Sequence, residues 1–89
     1  MSHHVLKCWP GLFDDVVCGE KRFEVRRNDR GFDAGDVLQL REWRPDTRSF
    51  SGRVTHVRVT YILHTAPGLQ FGFVVMGIEP CEVPFDGTR

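Results

Sequence analysis

The stretch Gly19-Glu20-Lys21-Arg22-Phe23-Glu24-Val25-Arg26-Arg27 marks a change of hydrophobic period, and that change decides the fold. Upstream, Leu12, Phe13, Val16 and Val17 recur at i and i+4 and form one apolar stripe of a short helix. Pro10 suits its first turn, Asp14 and Asp15 sit near its positive end, and Gly19 stops it. From Arg22 onward the period is two. Phe23 and Val25 point one way, and Arg22, Glu24 and Arg26 point the other, as in a strand. Gly19 also supplies the turn that places Lys21 at the mouth of that strand.

Working outward, His3 to Trp9 alternates and reads as a first strand, and Asn28-Asp29-Arg30-Gly31 is turn chemistry. Ala34-Gly35-Asp36 leads into a strand over Val37 to Trp43, followed by a polar connection from Pro45 to Gly52. Val54 to Leu63 is the longest strand, with Val57, Val59, Tyr61 and Leu63 on one face and His56, Arg58 and Thr60 on the other. Ala66-Pro67-Gly68 turns the chain, and Phe71 to Ile78 is apolar on both faces, as for a strand covered on both sides. The fold class is therefore mainly β with one or two short helices (α+β). A small barrel of about five strands would also remove exposed edges.

The chain has 89 residues, which fits a single domain over 1–89. Seven Phe, two Trp and one Tyr provide large buried areas without staples. A run of about 18 apolar residues is absent and the first residues lack a secretory pattern, so a cytoplasmic protein without a membrane partner is expected. Cys8, Cys18 and Cys81 are odd in number, far apart and without a C-x-x-C pair; they read as reduced, mostly buried thiols, not as a disulfide framework or zinc site. His56 and His64 would lie roughly 25 Å apart along a strand at about 3.3 Å per residue, too far to share an ion. Residues Gly31 to Gly35 lack a phosphate-cradling G-x-x-x-x-G-K. Neither a metal nor a cofactor is expected.

Twelve Lys and Arg balance twelve Asp and Glu, but unevenly. Residues 21–58 hold ten bases and six acids, while residues 1–20 and 59–89 each hold one base and three acids. Ten of the twelve bases are Arg, whose planar fork binds carboxylate and phosphate bidentately and stacks on flat rings. A zero net charge excludes broad electrostatic coating of nucleic acid, so such a role must be local and selective.

Glu24 and Arg26, two residues apart on one strand face, present acceptors to an exocyclic amine and donors to a phosphate or carbonyl. The same pair also fits a cross-strand ion pair on a solvated sheet face. The pattern G-x-K-x-x-E-x-R at Gly19, Lys21, Glu24 and Arg26, followed by Gly35-Asp36-Val37-Leu38, resembles the ASCH domains of the PUA-like superfamily. Leu6-Lys7-Cys8-Trp9-Pro10, Phe23 to Arg30, Tyr61-Ile62-Leu63 and Gly72 to Met76 are similar to a small branch of that superfamily. The resemblance implies a PUA-like barrel with a helix near its mouth. It also implies a cleft for RNA or a modified nucleotide, lined by Lys21, Glu24 and Arg26 and opened by the structural turn at Gly19. In the branch resembling amidohydrolases that act on acylated cytidine, a nucleophilic Thr stands where this chain has Glu24, partnered by the Lys and a later Glu. Lys21 is retained, the nucleophile is not, and no Glu before Glu79 is read as completing the set.

Three functions follow. The leading one is a noncatalytic RNA- or nucleotide-binding module. In it Glu24 reads a base edge, Lys21 and Arg26 hold oxygens, Arg27 or Arg30 extends along the backbone, and Trp9 stacks on a base if its ring is exposed. A core anchor beside the helix is the favoured reading of Trp9, because large buried aromatics are scarce in a small domain. The second is a small amidohydrolase on acylated nucleosides using Lys21 and Glu24. A carboxylate beside Lys21 favours its charged form and opposes a free-amine nucleophile. The third is a protein-interaction domain whose Arg-rich middle faces an acidic partner.

Overall fold

Trp9 holds an extended backbone (φ −69°, ψ 153°) directly before Pro10, and the chain then turns into helix α1 (Pro10–Val17). In the computed structural model, which describes residues 1–82, this helix has no side-chain cap at its start; the ring of Pro10 presets its first turn. Phe13 and Val16 are buried against the sheet, while Leu12 and Val17 stay about half exposed, so the stripe is narrower than the i and i+4 pattern predicts. Asp14 and Asp15 fall beyond the first turn, away from the positive end, and Asp14 instead pairs with Arg53 at 2.9 Å. Gly19 takes φ +87°, a conformation that costs other residues a Cβ clash, and the helix ends as expected.

The strands are β1 (His3–Cys8), β2 (Phe23–Arg27), β3 (Val37–Arg44), β4 (Ser49–Leu63) and β5 (Phe73–Pro80), in the order β1-β3-β4-β5-β2. β1 runs parallel to β3, and every other pairing is antiparallel. The sheet curls into a barrel-like form with α1 packed on β3. Its two edges, β1 and β2, do not pair through their backbones. Arginines bridge them: Arg26 donates from Nη2 to the Lys7 carbonyl (2.9 Å), and Arg30 from Nη1 to the Val5 carbonyl (2.8 Å). Occupied carbonyls on an edge strand are poor templates for another chain.

Leu6, Leu38, Leu40, Val59, Val74 and Met76 form the centre of the core. Deleting a side chain such as Leu40 or Met76 would cost about 2–5 kcal/mol, the range for large-to-small core changes. Phe32, in the loop after the Asn28 turn, joins the core, its backbone N–H held by Asn28 Oδ1 at 3.1 Å.

Two register shifts re-aim side chains. Between Val59 and Tyr61 the β4–β5 pairing slips by one residue at Thr60, so Val57 and Val59 face inward but Tyr61 and Leu63 face out. A Cβ on Gly77 would come within 2.8 Å of Thr60 Oγ1, so glycine leaves room for the bulge. The expected single face from Val57 to Leu63 is thereby broken. β5 is likewise buried on one face only, through Val74, Met76 and Ile78, and not on both. The second shift, between Arg41 and Trp43, sits in the β3–β4 hairpin, whose second strand begins at Ser49, so the polar connection is shorter than expected. Phe50 pairs there with Trp43, ring to ring at 4.8 Å.

Candidate functional site

β2 is inverted relative to a simple amphipathic strand. Glu24 is buried, with 3% of its surface exposed, whereas Phe23 and Val25 are each 47% exposed. The solvated-face ion pair is therefore excluded for Glu24: its carboxylate faces the inside of the barrel mouth. Burying a carboxylate is costly unless it is paired and hydrogen-bonded. Both oxygens are paired, Oε2 to Lys21 Nζ at 2.6 Å and Oε1 to Arg26 Nε at 3.0 Å.

The local chain sets this geometry. After the Gly19 turn the Lys21 backbone N–H donates to the Asp15 carbonyl (2.9 Å), so the helix end fixes where Lys21 starts. Lys21 Nζ also donates to the Phe23 carbonyl at 2.6 Å. Arg26 is tied to Lys7 across the seam. The three groups carry a net charge of +1. They retain bonding capacity: one Lys21 N–H, three Arg26 N–H and further carboxylate lone pairs remain after these contacts.

An open cleft of about 300 Å³ is lined by these three residues with Lys7, Cys8, Trp9, Leu12, Phe23 and Val25. Trp9 is 58% exposed, so it is no core anchor; its place before Pro10 sets it at the cleft. Lys21, Glu24, Arg26 and Trp9 thus meet in one concavity. Arg27 does not: it lies on the outer face, its guanidinium 5.0 Å from the Phe73 ring centre. Arg30 stands outside the cleft, on the seam with Val5. Gly19 lines a separate hollow of about 490 Å³ together with Lys21, Arg22, His56 and Glu79. Burial, and next the charge of His3, hold the His56 imidazole below its ordinary value.

Glu42 is the residue that sequence reading missed. It is buried beside Cys8 in the β1–β3 register, with Arg53 Nη1 at 3.3 Å. The sequence reads no Glu before Glu79 as completing the set; Glu42 lies next to Cys8, which lines the cleft, but is not itself among the residues that line it. Period two on Leu38, Leu40 and Glu42 was the available signal, a charge ending an apolar stripe. Burial, followed by the Glu24 charge, pushes the Cys8 thiol up to about 11, with Arg26 and Lys21 only partly opposing. Cys8 is therefore a protonated, unreactive thiol. Cys18 is exposed and Cys81 half-buried, so burial of the cysteines holds for Cys8 alone. Among the described residues Asp15, Cys18 and Glu20 bring ligand-type atoms within 4.8 Å, but all three are exposed and nothing else there points to an ion.

The fold and cleft define a class: a small barrel-like α+β domain with a buried, doubly paired carboxylate at its mouth. The chain belongs to the family described as a domain of unknown function (DUF3850), which it matches over residues 3–78. It is also similar to an "Uncharacterized 12.9 kDa protein in GpA 3'region" of Escherichia phage P2, 36% identical over 67 residues. That alignment covers 75% of this chain and 60% of the phage protein. No helix among the described residues is long and apolar enough to cross a membrane.

Proposed function

We propose that the cleft binds a nucleotide, free, modified or within RNA, and that the domain is an ASCH-like member of the PUA-like superfamily. The observation that carries this reading is the buried Glu24 carboxylate, clamped by Lys21 and Arg26 in the same open cleft as an exposed Trp9. Such a set offers a flat heterocycle a stacking surface and a carboxylate acceptor for an exocyclic amine. It offers a phosphate a net positive charge with unspent N–H donors. The carboxylate held between its cations is preorganised, which lowers the ordering cost of binding.

Equilibrium titration with AMP, CMP, GMP and UMP, measured by isothermal calorimetry, tests it. Wild-type protein binds at least one of the four, and the Glu24→Ala/Arg26→Ala protein loses that binding at least tenfold. Equal affinity of both proteins for every nucleotide refutes the reading.

A second reading, amide hydrolysis of an acylated nucleoside, draws on Glu42 as a second buried carboxylate next to Cys8. Against it, Lys21 Nζ is already engaged as a donor to Glu24 Oε2 and to the Phe23 carbonyl, which leaves it poorly placed to attack an acyl carbon. Turnover of an acylated cytidine that disappears in Lys21→Ala would establish hydrolysis; absence of turnover eliminates it.

A further inference from the structure

We propose that the seam between β1 and β2 is a track for a single-stranded nucleic acid, so that the ligand is an oligonucleotide and not a lone nucleotide. This rests on the cleft reading above and extends it to a second hollow. That hollow, of about 520 Å³, is lined by Val5, Leu6, Lys7, Arg26, Arg30 and Phe50. It adjoins the cleft at Lys7 and Arg26, which line both hollows, and the track runs along β1 through the two.

The groove has the parts that bind single strands. An exposed aromatic ring stands at each end, Trp9 in the cleft and Phe50 (48% exposed) in the second hollow. Between them lie Arg26 and Arg30. They are anchored on the carbonyls of Lys7 and Val5, two residues apart on β1, which is about 7 Å at about 3.3 Å per residue. That is of the order of the phosphate repeat in an extended strand. Each guanidinium keeps donors after its anchoring bond: Arg26 uses two of five N–H groups and Arg30 one. Among the described residues Lys7, Lys21, Arg26 and Arg30 face only Glu24 and the exposed Asp29, 3.8 Å from Arg30, so the groove is positive in a chain of zero net charge.

The same contacts disfavour a peptide. A strand adding to the free edge of β1 would need the Val5 and Lys7 carbonyls, and both are taken by arginine. A nucleic acid needs no backbone partner and uses the arginines as they stand.

The test compares each 5′-mononucleotide with the RNA and DNA pentamers of the same base, over a salt series, for wild type, Arg30→Gln and Phe50→Ala. Pentamers bind at least tenfold tighter than the matching mononucleotide. Each variant lowers pentamer affinity severalfold while leaving mononucleotide affinity unchanged. The slope of log K against log salt becomes shallower by about 0.7 in Arg30→Gln, one phosphate on a single strand. Phe50→Ala probes the same groove without touching the Arg30 seam contact, so instability of one variant does not remove the test. A preference for either sugar supports the track and identifies the strand.

Pentamers no tighter than mononucleotides, or pentamer binding indifferent to both variants, overturns the track while leaving the cleft reading intact. Failure of every mononucleotide and pentamer overturns both. Binding of poly-glutamate lost in Arg30→Gln, with no pentamer bound, overturns the track in favour of an acidic protein partner.

Discussion

β1 has a buried carboxylate near each end, and the two are held in different ways. At its start Asp36, beside Gly35, accepts from the Ser2 N–H (2.9 Å), the Asp33 N–H (3.0 Å) and the His4 ring (2.9 Å). At its other end Glu24 is held by two side-chain cations in an open cleft. Burial alone would raise the Asp36 pKa, but the Ser2 N–H and then the His4 and Asp33 bonds overcome it and hold the carboxyl below its ordinary value. Backbone donors cannot turn to another acceptor without unfolding the chain. Side-chain cations can share a ligand. The first arrangement ties the N-terminal strand to the β3 turn, and the second keeps bonding capacity for something outside the protein.

The sharpest way to break this contrast is Asp36→Ala. Removing the acceptor strands two backbone donors and the His4 ring, so about 3 kcal/mol of stability is lost in urea unfolding. Nucleotide affinity of the folded fraction stays within twofold. The variant also changes acid unfolding. Because the folded pKa of Asp36 is depressed, its contribution is fully present above the unfolded value near 3.8 and is lost as pH falls through the lower folded value. Asp36→Ala therefore flattens the acid limb of stability against pH. An unchanged limb means that Asp36 is not the clamp.

Glu24→Gln sharpens the other half. It keeps the shape of the side chain, so the stability loss is smaller, about 1 kcal/mol, while discrimination among the four nucleotides falls about tenfold, the equivalent of about 1.4 kcal/mol. A stability loss equal to that of Asp36→Ala would make both carboxylates structural. Trp9→Ala has a smaller effect still. Its ring is exposed and makes no cap bond, so stability moves by less than about 0.5 kcal/mol, and affinity drops by about 1 kcal/mol of lost stacking. The smallest effect is on the thiols. Alkylation followed by mass spectrometry at pH 8 modifies Cys18 first and leaves Cys8 protected until the protein unfolds, because its thiol ionises only near 11. Early modification of Cys8 would mean that the cleft floor opens.

Much of the architecture is legible in local pattern. Pro10 and Gly19 delimit the helix, period two marks the strands at His3, Arg22 and Val54, an apolar run marks the last strand, and Asn28 to Gly31 and Ala66 to Gly68 supply turns. Ser49 to Gly52 did not read as strand, since Ser and Gly carry no β signal; pairing with Trp43 and Arg44 extends the hairpin there. His4 offered no sign of a role, because its partner Asp36 is thirty-two residues away.

By itself the sequence determined the helix, the strands, their turns and the residue types gathered at Lys21, Glu24 and Arg26. Tertiary structure decided which face of each strand is inside. Alternation separates two faces but does not say which one meets the core, and one bulge at Thr60 exchanges them in mid-strand. In β2 the charged face turned inward because the curled sheet brings Lys21, Arg26 and the Lys7 carbonyl around it, and paired charges can be buried where lone ones cannot.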